Sequence, residues 1–235
     1  MTTTYAIGDI HGRADLLMKM LREIRIRSSN ERFEIIFLGD IIDRGPESRK
    51  AMDIVFDALK QIPGSKLLLG NHEELFLSAF AAKGYERLRR FQYWAGPRVG
   101  GMATLQSYGF KHEDSIDFMI EIMESQFAHH LDAMRNADSM VVKGDCVFVH
   151  AGILPGVPLA KQDERDLRWI RYEFLDYEGP HEKFVIHGHT PTEDAKPDKR
   201  PNRLNIDTGA YKSGVLTAVA VPPDGQELEI LTAML

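Results

Sequence analysis

The chain is poor in cysteine, has no basic surplus and carries no long apolar run, and each lack removes a class of function. One cysteine, Cys146, among 235 residues cannot close an internal disulfide, which excludes a disulfide-stapled scaffold and fits a reducing cytosol. The formal net charge of -6 leaves none of the cationic excess with which dedicated nucleic-acid binders meet phosphates, so no nucleic-acid partner is expected. No segment approaches the roughly 20 consecutive apolar residues that cross a bilayer. Met1-Thr2-Thr3-Thr4 leads straight into a β-prone run, without the basic and apolar regions of a signal peptide. The expectation is a cytoplasmic protein with no membrane partner. Internal repeats and low-complexity tracts are also missing.

What is present is an ordinary globular composition, 43% hydrophobic and 27% charged, in a length that suits one cored domain over residues 1–235. Thr4 to Ile7 reads as a strand ending at Gly8-Asp9, and Phe33 to Leu38 as a buried strand ending at Gly39-Asp40. Lys66 to Leu69 is a third strand, ending at Gly70-Asn71. Apolar residues at helical spacing fill Ala14 to Ile26 and Ser48 to Leu59, and a helix follows from Glu73. The first third is therefore β-α-β-α-β-α, with a Gly-Asp or Gly-Asn pair closing each strand. Ligands of open α/β sheets sit outside the carboxyl ends of the strands, so three polar residues delivered there in succession point to one site.

From about residue 84 to 138 the chain is rich in Arg, Met and aromatics, with helical periodicity over Ile116 to Met134, and reads as a helical cap insertion. Strands return at Met140 to Val142, Val147 to Val149 ending at His150, and Phe184 to Ile186 ending near His189. Val215 to Val221 and Glu227 to Leu231 close the chain, and Lys196 to Pro201 reads as a surface loop.

Five short blocks carry the chemistry: Gly8-Asp9-Ile10-His11-Gly12, Gly39-Asp40-Ile41-Ile42-Asp43-Arg44-Gly45, Gly70-Asn71-His72-Glu73, His150-Ala151-Gly152 and Gly188-His189-Thr190. Each alone is common turn chemistry. Together they deliver carboxylate, imidazole and amide oxygen to strand ends, the donor set of hard to borderline divalent cations.

The ordered set resembles the signature of the calcineurin-like metallophosphoesterases, and within them the phosphoprotein (serine/threonine) phosphatase branch with its bacterial and phage members. Ile206-Asp207-Thr208-Gly209-Ala210 resembles a further block of the bacterial branch. The resemblance implies an α/β fold, a central β-sandwich of two mixed sheets flanked by helices in four layers, with a helical cap. It implies that Asp9, His11 and Asp40 hold one divalent metal and that Asp40 bridges to a second, completed by Asn71, His150 and His189. A water activated by both cations would then attack phosphorus directly. Carboxylate, amide and imidazole with few soft donors favour Mn²⁺, with Fe or Zn as alternatives.

His72 follows Asn71 directly and is the candidate general acid, with Asp43 three residues beyond Asp40 placed to orient it. Arg44 is the natural bidentate clamp for phosphate oxygens, and Asn71 is expected against the same phosphate. Trp169-Ile170-Arg171 resembles a Trp-x-Arg of bacterial relatives, which makes Arg171 a second clamp, although Arg165, Arg168 and Arg171 at three-residue spacing also fit a solvated helix face. His187 and Cys146 read as core residues. Asp207 either orients a ligand or closes a turn.

The leading functional expectation is a phosphomonoesterase acting on phosphoserine, phosphothreonine or small phosphoesters. The alternative is a dinucleoside polyphosphate hydrolase on the same scaffold, a branch that resembles this block but typically lacks an aspartate at the position of Asp43. A nuclease-like diesterase is disfavoured by the Asp43–His72 pair and the acidic balance, and a non-catalytic scaffold by the full ligand set. In the cap, Arg89 and Arg90 among aromatics are either substrate contacts or a solvated face.

Overall fold

The computed structural model of the chain describes residues 2–29, 31–223 and 227–235, and period-two alternation along its strands sets the layers. In β1 (Thr3–Ile7) and β2 (Phe33–Phe37), Ala6 and Ile36 face inward between two sheets. Tyr5, Ile7, Ile35 and Phe37 face outward onto helices. In β5 (Cys146–Val149) and β6 (Phe184–His187), Cys146, Phe148 and Ile186 meet the first sheet, while Val147, Val149 and Val185 face the opposite way.

The remaining strands are β3 (Lys66–Leu67), β4 (Met140–Lys143), β7 (Asp198–Lys199), β8 (Arg203–Asn205), β9 (Val215–Val221) and β10 (Glu229–Met234). One sheet runs β10-β9-β1-β2-β3 and the other β4-β5-β6-β8-β7. Both are mixed: β1, β2 and β3 run parallel, as do β5, β6 and β8, while β9 on β1, β10 on β9, β4 on β5 and β7 on β8 are antiparallel. Helices α1 (Ala14–Ser28), α2 (Ser48–Gln61) and α3 (Asn71–Ala81) cover the outside of the first sheet. The expected four-layer α/β sandwich is therefore present. Among the described residues no helix is long and apolar enough to cross a membrane.

The middle of the chain forms α4 (Gly84–Ala95), α5 (Gly101–Ser107), α6 (Ile116–Gln126) and α7 (Ala128–Arg135). Trp94, Leu105, Met123 and Leu131 share one apolar cluster with the helices over the first sheet, so this segment extends that layer. Two short helices, α8 (Glu164–Trp169) and α9 (Tyr172–Leu175), seat Leu167 and Phe174 on the second sheet, and α10 (Ala210–Ser213) precedes β9.

Several boundaries differ from expectation for local reasons. β3 stops at Leu67 because Leu68 bridges to Asp138 and the Leu69 N–H goes to the Asp138 carbonyl, at 3.0 Å. α3 starts at Asn71 because the Glu73 carboxylate folds back to accept the Gly70 N–H at 3.2 Å, which caps the helix early. The periodicity over 116–134 is two helices, broken at Phe127, whose backbone (φ -125, ψ 25) leaves the helical region. The loop at 196–201 contains β7, an antiparallel partner of β8, and the last strand runs later, over Glu229–Met234.

Candidate active site

The blocks at the ends of β1, β2, β3, β5 and β6 converge at one end of the sandwich, and sharp backbone turns bring them there. Seven described non-glycine residues have positive φ, and five of them are His11, Asp40, Asp43, Arg44 and His189. The left-handed region is costly for side-chain-bearing residues, and such strain concentrates at functional sites. Close approach does the rest. A Cβ on Gly70 would collide with Asp40, and one on Gly188 with the Asp9 carboxylate. Glu73 holds the Asp40 turn by accepting the N–H groups of Asp40 and Ile41, both at 2.8 Å. Burial, and then the neighbouring Asp40, push its own carboxyl up to about 7.

The donor atoms form two buried triads that share Asp40: His11, Asp40 and His72, and Asp40, His150 and His189. His11 Nδ1 donates to the Ile42 carbonyl and His150 Nδ1 to the Leu38 carbonyl, each at 2.8 Å, so both Nε2 lone pairs face the centre. Asp40 lies 3.6 Å from His11 Nε2 and 3.5 Å from His150 Nε2. Asn71 Oδ1 is 2.9 Å from His150 Nε2 and 2.7 Å from His189 Nδ1. Asp9 turns both carboxylate oxygens to the His189 N–H, at 3.1 Å.

Burial lowers the proton affinity of His11, His150 and His189, against the opposing pull of Asp40. Burial would raise Asp40, but the surrounding histidines, His150 first, hold it well below the usual carboxylate range. Asp9 is pushed well above that range by burial and then by Asp207 and Asp40. A knot of acceptors and crowded carboxylates is stabilised by cations, so the residues present fit divalent metals.

His72 stands beside this centre with its Nδ1 anchored on Asp43 Oδ2 at 2.7 Å. Burial opposes its protonation, but Asp40 and Asp43 outweigh burial and raise its pKa. Asp43 is fully buried and takes two further donors from the helical extension, Trp94 Nε1 at 3.0 Å and Thr104 Oγ1 at 2.7 Å. The Arg44 fork reaches His11 Nε2 at 3.0 Å and His72 Nε2 at 3.1 Å, and its guanidinium lies 4.8 Å from the centroid of the Tyr211 ring.

Arg171 does not share α8. It is the exposed residue that opens α9, and its charge reaches His150 and His189. Of the arginine triplet, Arg168 is buried and paired with Glu74 and Glu164. Arg89 is exposed and bound to Glu86 at 2.8 Å, and Arg90 is exposed and bound to Ser78 at 2.7 Å. His187 is buried against Phe174, and Cys146 lies between the sheets. Asp207 closes a turn through the Gly209 N–H at 2.9 Å, while its Oδ2 is buried with no partner among the described residues.

Sequence reasoning missed the support of the dyad. The pairing of Asp43 with Trp94 and Thr104, across 51 and 61 positions, leaves no trace in one sequence. Glu73 was visible in its block, and its three-residue offset from Gly70 is the signal that would have flagged it as an anchor.

A family model described as calcineurin-like phosphoesterase matches residues 2–215. A bis(5'-nucleosyl)-tetraphosphatase PrpE (asymmetrical) of Oceanobacillus iheyensis is 27% identical over 240 aligned positions, which cover 92% of this chain and 87% of that protein. A symmetrical bis(5'-nucleosyl)-tetraphosphatase of Dechloromonas aromatica is 29% identical over 154 positions, covering 65% of this chain but only 44% of that protein. Among solved structures, one provisionally described as a diadenosine tetraphosphatase superposes with a TM-score of 0.63 at 17% identity, covering 98% of this chain and 93% of its own. That last likeness is one of fold.

Proposed function

The chain belongs to the calcineurin-like phosphoesterase family, and from that premise we propose that it is a metal-dependent hydrolase of dinucleoside polyphosphates. The observation that carries the substrate class is the run of similarity to the O. iheyensis tetraphosphatase over 92% of the chain. This reverses the order of the two expectations from sequence, in which the phosphomonoesterase led.

Asp9, His11, Asp40, Asn71, His150 and His189 are the residues that would hold two divalent ions. When bound, such ions acidify a shared water and neutralise phosphoryl oxygens. The chain supplies the remaining steps. Arg44, aimed into the site between His11 and His72, grips the phosphoryl oxygens with its planar fork. Asn71 helps to position that phosphate, and Arg171 adds positive charge from the rim. His72, with Nδ1 tied to Asp43, presents Nε2 to the site, and with the phosphate drawing Arg44 off that nitrogen a proton taken up there passes to the departing oxygen. Asp43 stabilises the charged ring.

A second reading, a phosphoserine/phosphothreonine phosphatase, is favoured by that same dyad. A departing phosphate, with its second pKa of about 6, needs little protonation, whereas an alkoxide needs a proton as it leaves. The test is a substrate panel with Mn²⁺ that compares kcat/KM for diadenosine tetraphosphate and for phosphoserine peptides, with products resolved by chromatography. The proposal expects the dinucleotide to lead by at least about tenfold, roughly 1.4 kcal/mol in transition-state binding. A lead of that size for the peptides would reverse the assignment.

A further inference from the structure

A cavity of 790 Å³ opens directly behind the Arg44 clamp, between α4, the 96–100 loop, α5 and Tyr211. Its walls are Phe91, Pro97, Met102 and Tyr211, with the exposed cation Arg98 and Arg44 itself in the lining. Pockets of ~300–1,000 Å³ with aromatic and aliphatic walls and a few placed polar groups are the common form of small-molecule sites.

We propose that this cavity is a nucleoside subsite that receives a purine ring of the substrate, while Arg44 holds the adjoining phosphate. The inference rests on the dinucleoside polyphosphate reading above. Tyr211 is the shared wall between the two chambers. Its ring packs T-shaped with His11 at a centroid distance of 5.4 Å and its face supports the Arg44 guanidinium, while the same side chain lines the cavity. A ligand on Arg44 therefore adjoins the cavity, which Arg44 and Tyr211 both line.

The charge pattern selects among occupants. An apolar, aromatic chamber bounded by two guanidinium groups suits a molecule that is both aromatic and anionic. A purine stacks on Tyr and Phe faces and on guanidinium planes, and its polyphosphate chain satisfies the arginines. An aliphatic peptide flank would meet the walls but leave Arg98 without a partner.

The chamber is also preformed. The Gly100 carbonyl accepts the Arg44 N–H at 3.2 Å, and a side chain at Gly100 (φ 94) would press on the Arg44 backbone, 2.9 Å from its nitrogen. The loop floor and the clamp therefore form one unit, which reduces the ordering cost of binding.

The test uses Ala103→Trp, which puts an indole from a lining residue into the cavity, and Arg98→Ala, each assayed with Mn²⁺ on diadenosine tetraphosphate, inorganic tripolyphosphate and an aryl phosphate. For Ala103→Trp, KM for diadenosine tetraphosphate should rise at least about tenfold, while the other two substrates stay within about twofold of wild type. Arg98→Ala should show a smaller rise of the same selectivity. Equal losses on all three substrates, or no loss on any, would overturn the proposal. Calorimetric binding of adenosine 5'-monophosphate to wild type and Ala103→Trp keeps the two levels apart. Failure of wild type to turn over diadenosine tetraphosphate, with adenosine 5'-monophosphate still bound and excluded by the tryptophan, would sink the functional reading and leave the subsite standing. Equal binding by both proteins would sink the subsite itself.

Discussion

Replacing Asp43 by Asn tests whether His72 works as a supported acid. The carboxylate is fully buried, 2.7 Å from His72 Nδ1, and its other donors come from Trp94 and Thr104. An asparagine oxygen in place of Oδ2 still accepts from His72 and Trp94, and its amide can donate to Thr104 Oγ1, so ring orientation and fold should survive. What disappears is the negative charge beside the imidazolium. For charge centres roughly 4 Å apart at an effective permittivity near 20, that attraction is about 4 kcal/mol, which sets an upper limit of ~10³ on the loss in rate. The expected result is a fall of ~10²–10³ in kcat on an alkyl phosphate, shrinking toward none across aryl phosphates with increasingly acidic leaving groups. His72→Asn should show the same slope with a deeper floor, ~10²–10⁴. Asp43→Asn added to His72→Asn should cost almost nothing more, because both act through one proton. A loss independent of the leaving group, or two losses that multiply, would refute the dyad.

Chelation should abolish turnover and Mn²⁺ should restore it, while Asp40→Asn should lose metal and activity together; full turnover in chelated protein, with metal content checked by emission spectrometry, would count against the metal reading. Trp94→Phe keeps the aromatic packing against Phe76 and Phe80 but takes a donor from the buried Asp43, and urea unfolding should show it about 1.5–3 kcal/mol less stable. His130 is buried with Tyr108 on its Nδ1, and burial, then His129, pull its pKa from 6.5 down to about 4 against the opposing pull of Asp53. The unfolded chain takes this proton near pH 6.5 and the folded chain only near 4, so the stabilising contribution is complete above pH 6.5. It should decline by up to roughly 3 kcal/mol on acidification to pH 4. In urea titrations His130→Gln should flatten that decline, and an unchanged slope would remove His130 as its source.

Much of the fold was legible because its signals are local. Buried strands such as Phe33–Phe37 read as unbroken apolar runs, and the Gly-Asp and Gly-Asn pairs marked their carboxyl ends. The same pairs exposed Asp9, Asp40 and Asn71, and the later strand ends exposed His150 and His189. What escaped depends on contacts distant in sequence. Arg168 looked like a surface cation until Glu74, from α3, came beside it, and Arg171 looked like its neighbour on one helix until the chain broke between them. The hairpin of β7 and β8 was hidden because two-residue pairings depend on the partner strand more than on composition. Arg89 and Arg90 drew attention by composition alone, whereas the cavity wall uses Phe91 and Arg98 from the same stretch.

The helical extension carries two duties on adjacent positions. Trp94 and Thr104 fix Asp43, while Phe91, Met102 and Ala103 border the cavity. The extension is therefore welded to Asp43 and cannot be exchanged as a cassette. A chimera that imports the whole segment from a relative would inherit new walls but risk leaving the Asp43–His72 pair without its two donors. Specificity in this scaffold should instead be re-tuned one side chain at a time, around two positions that stay fixed.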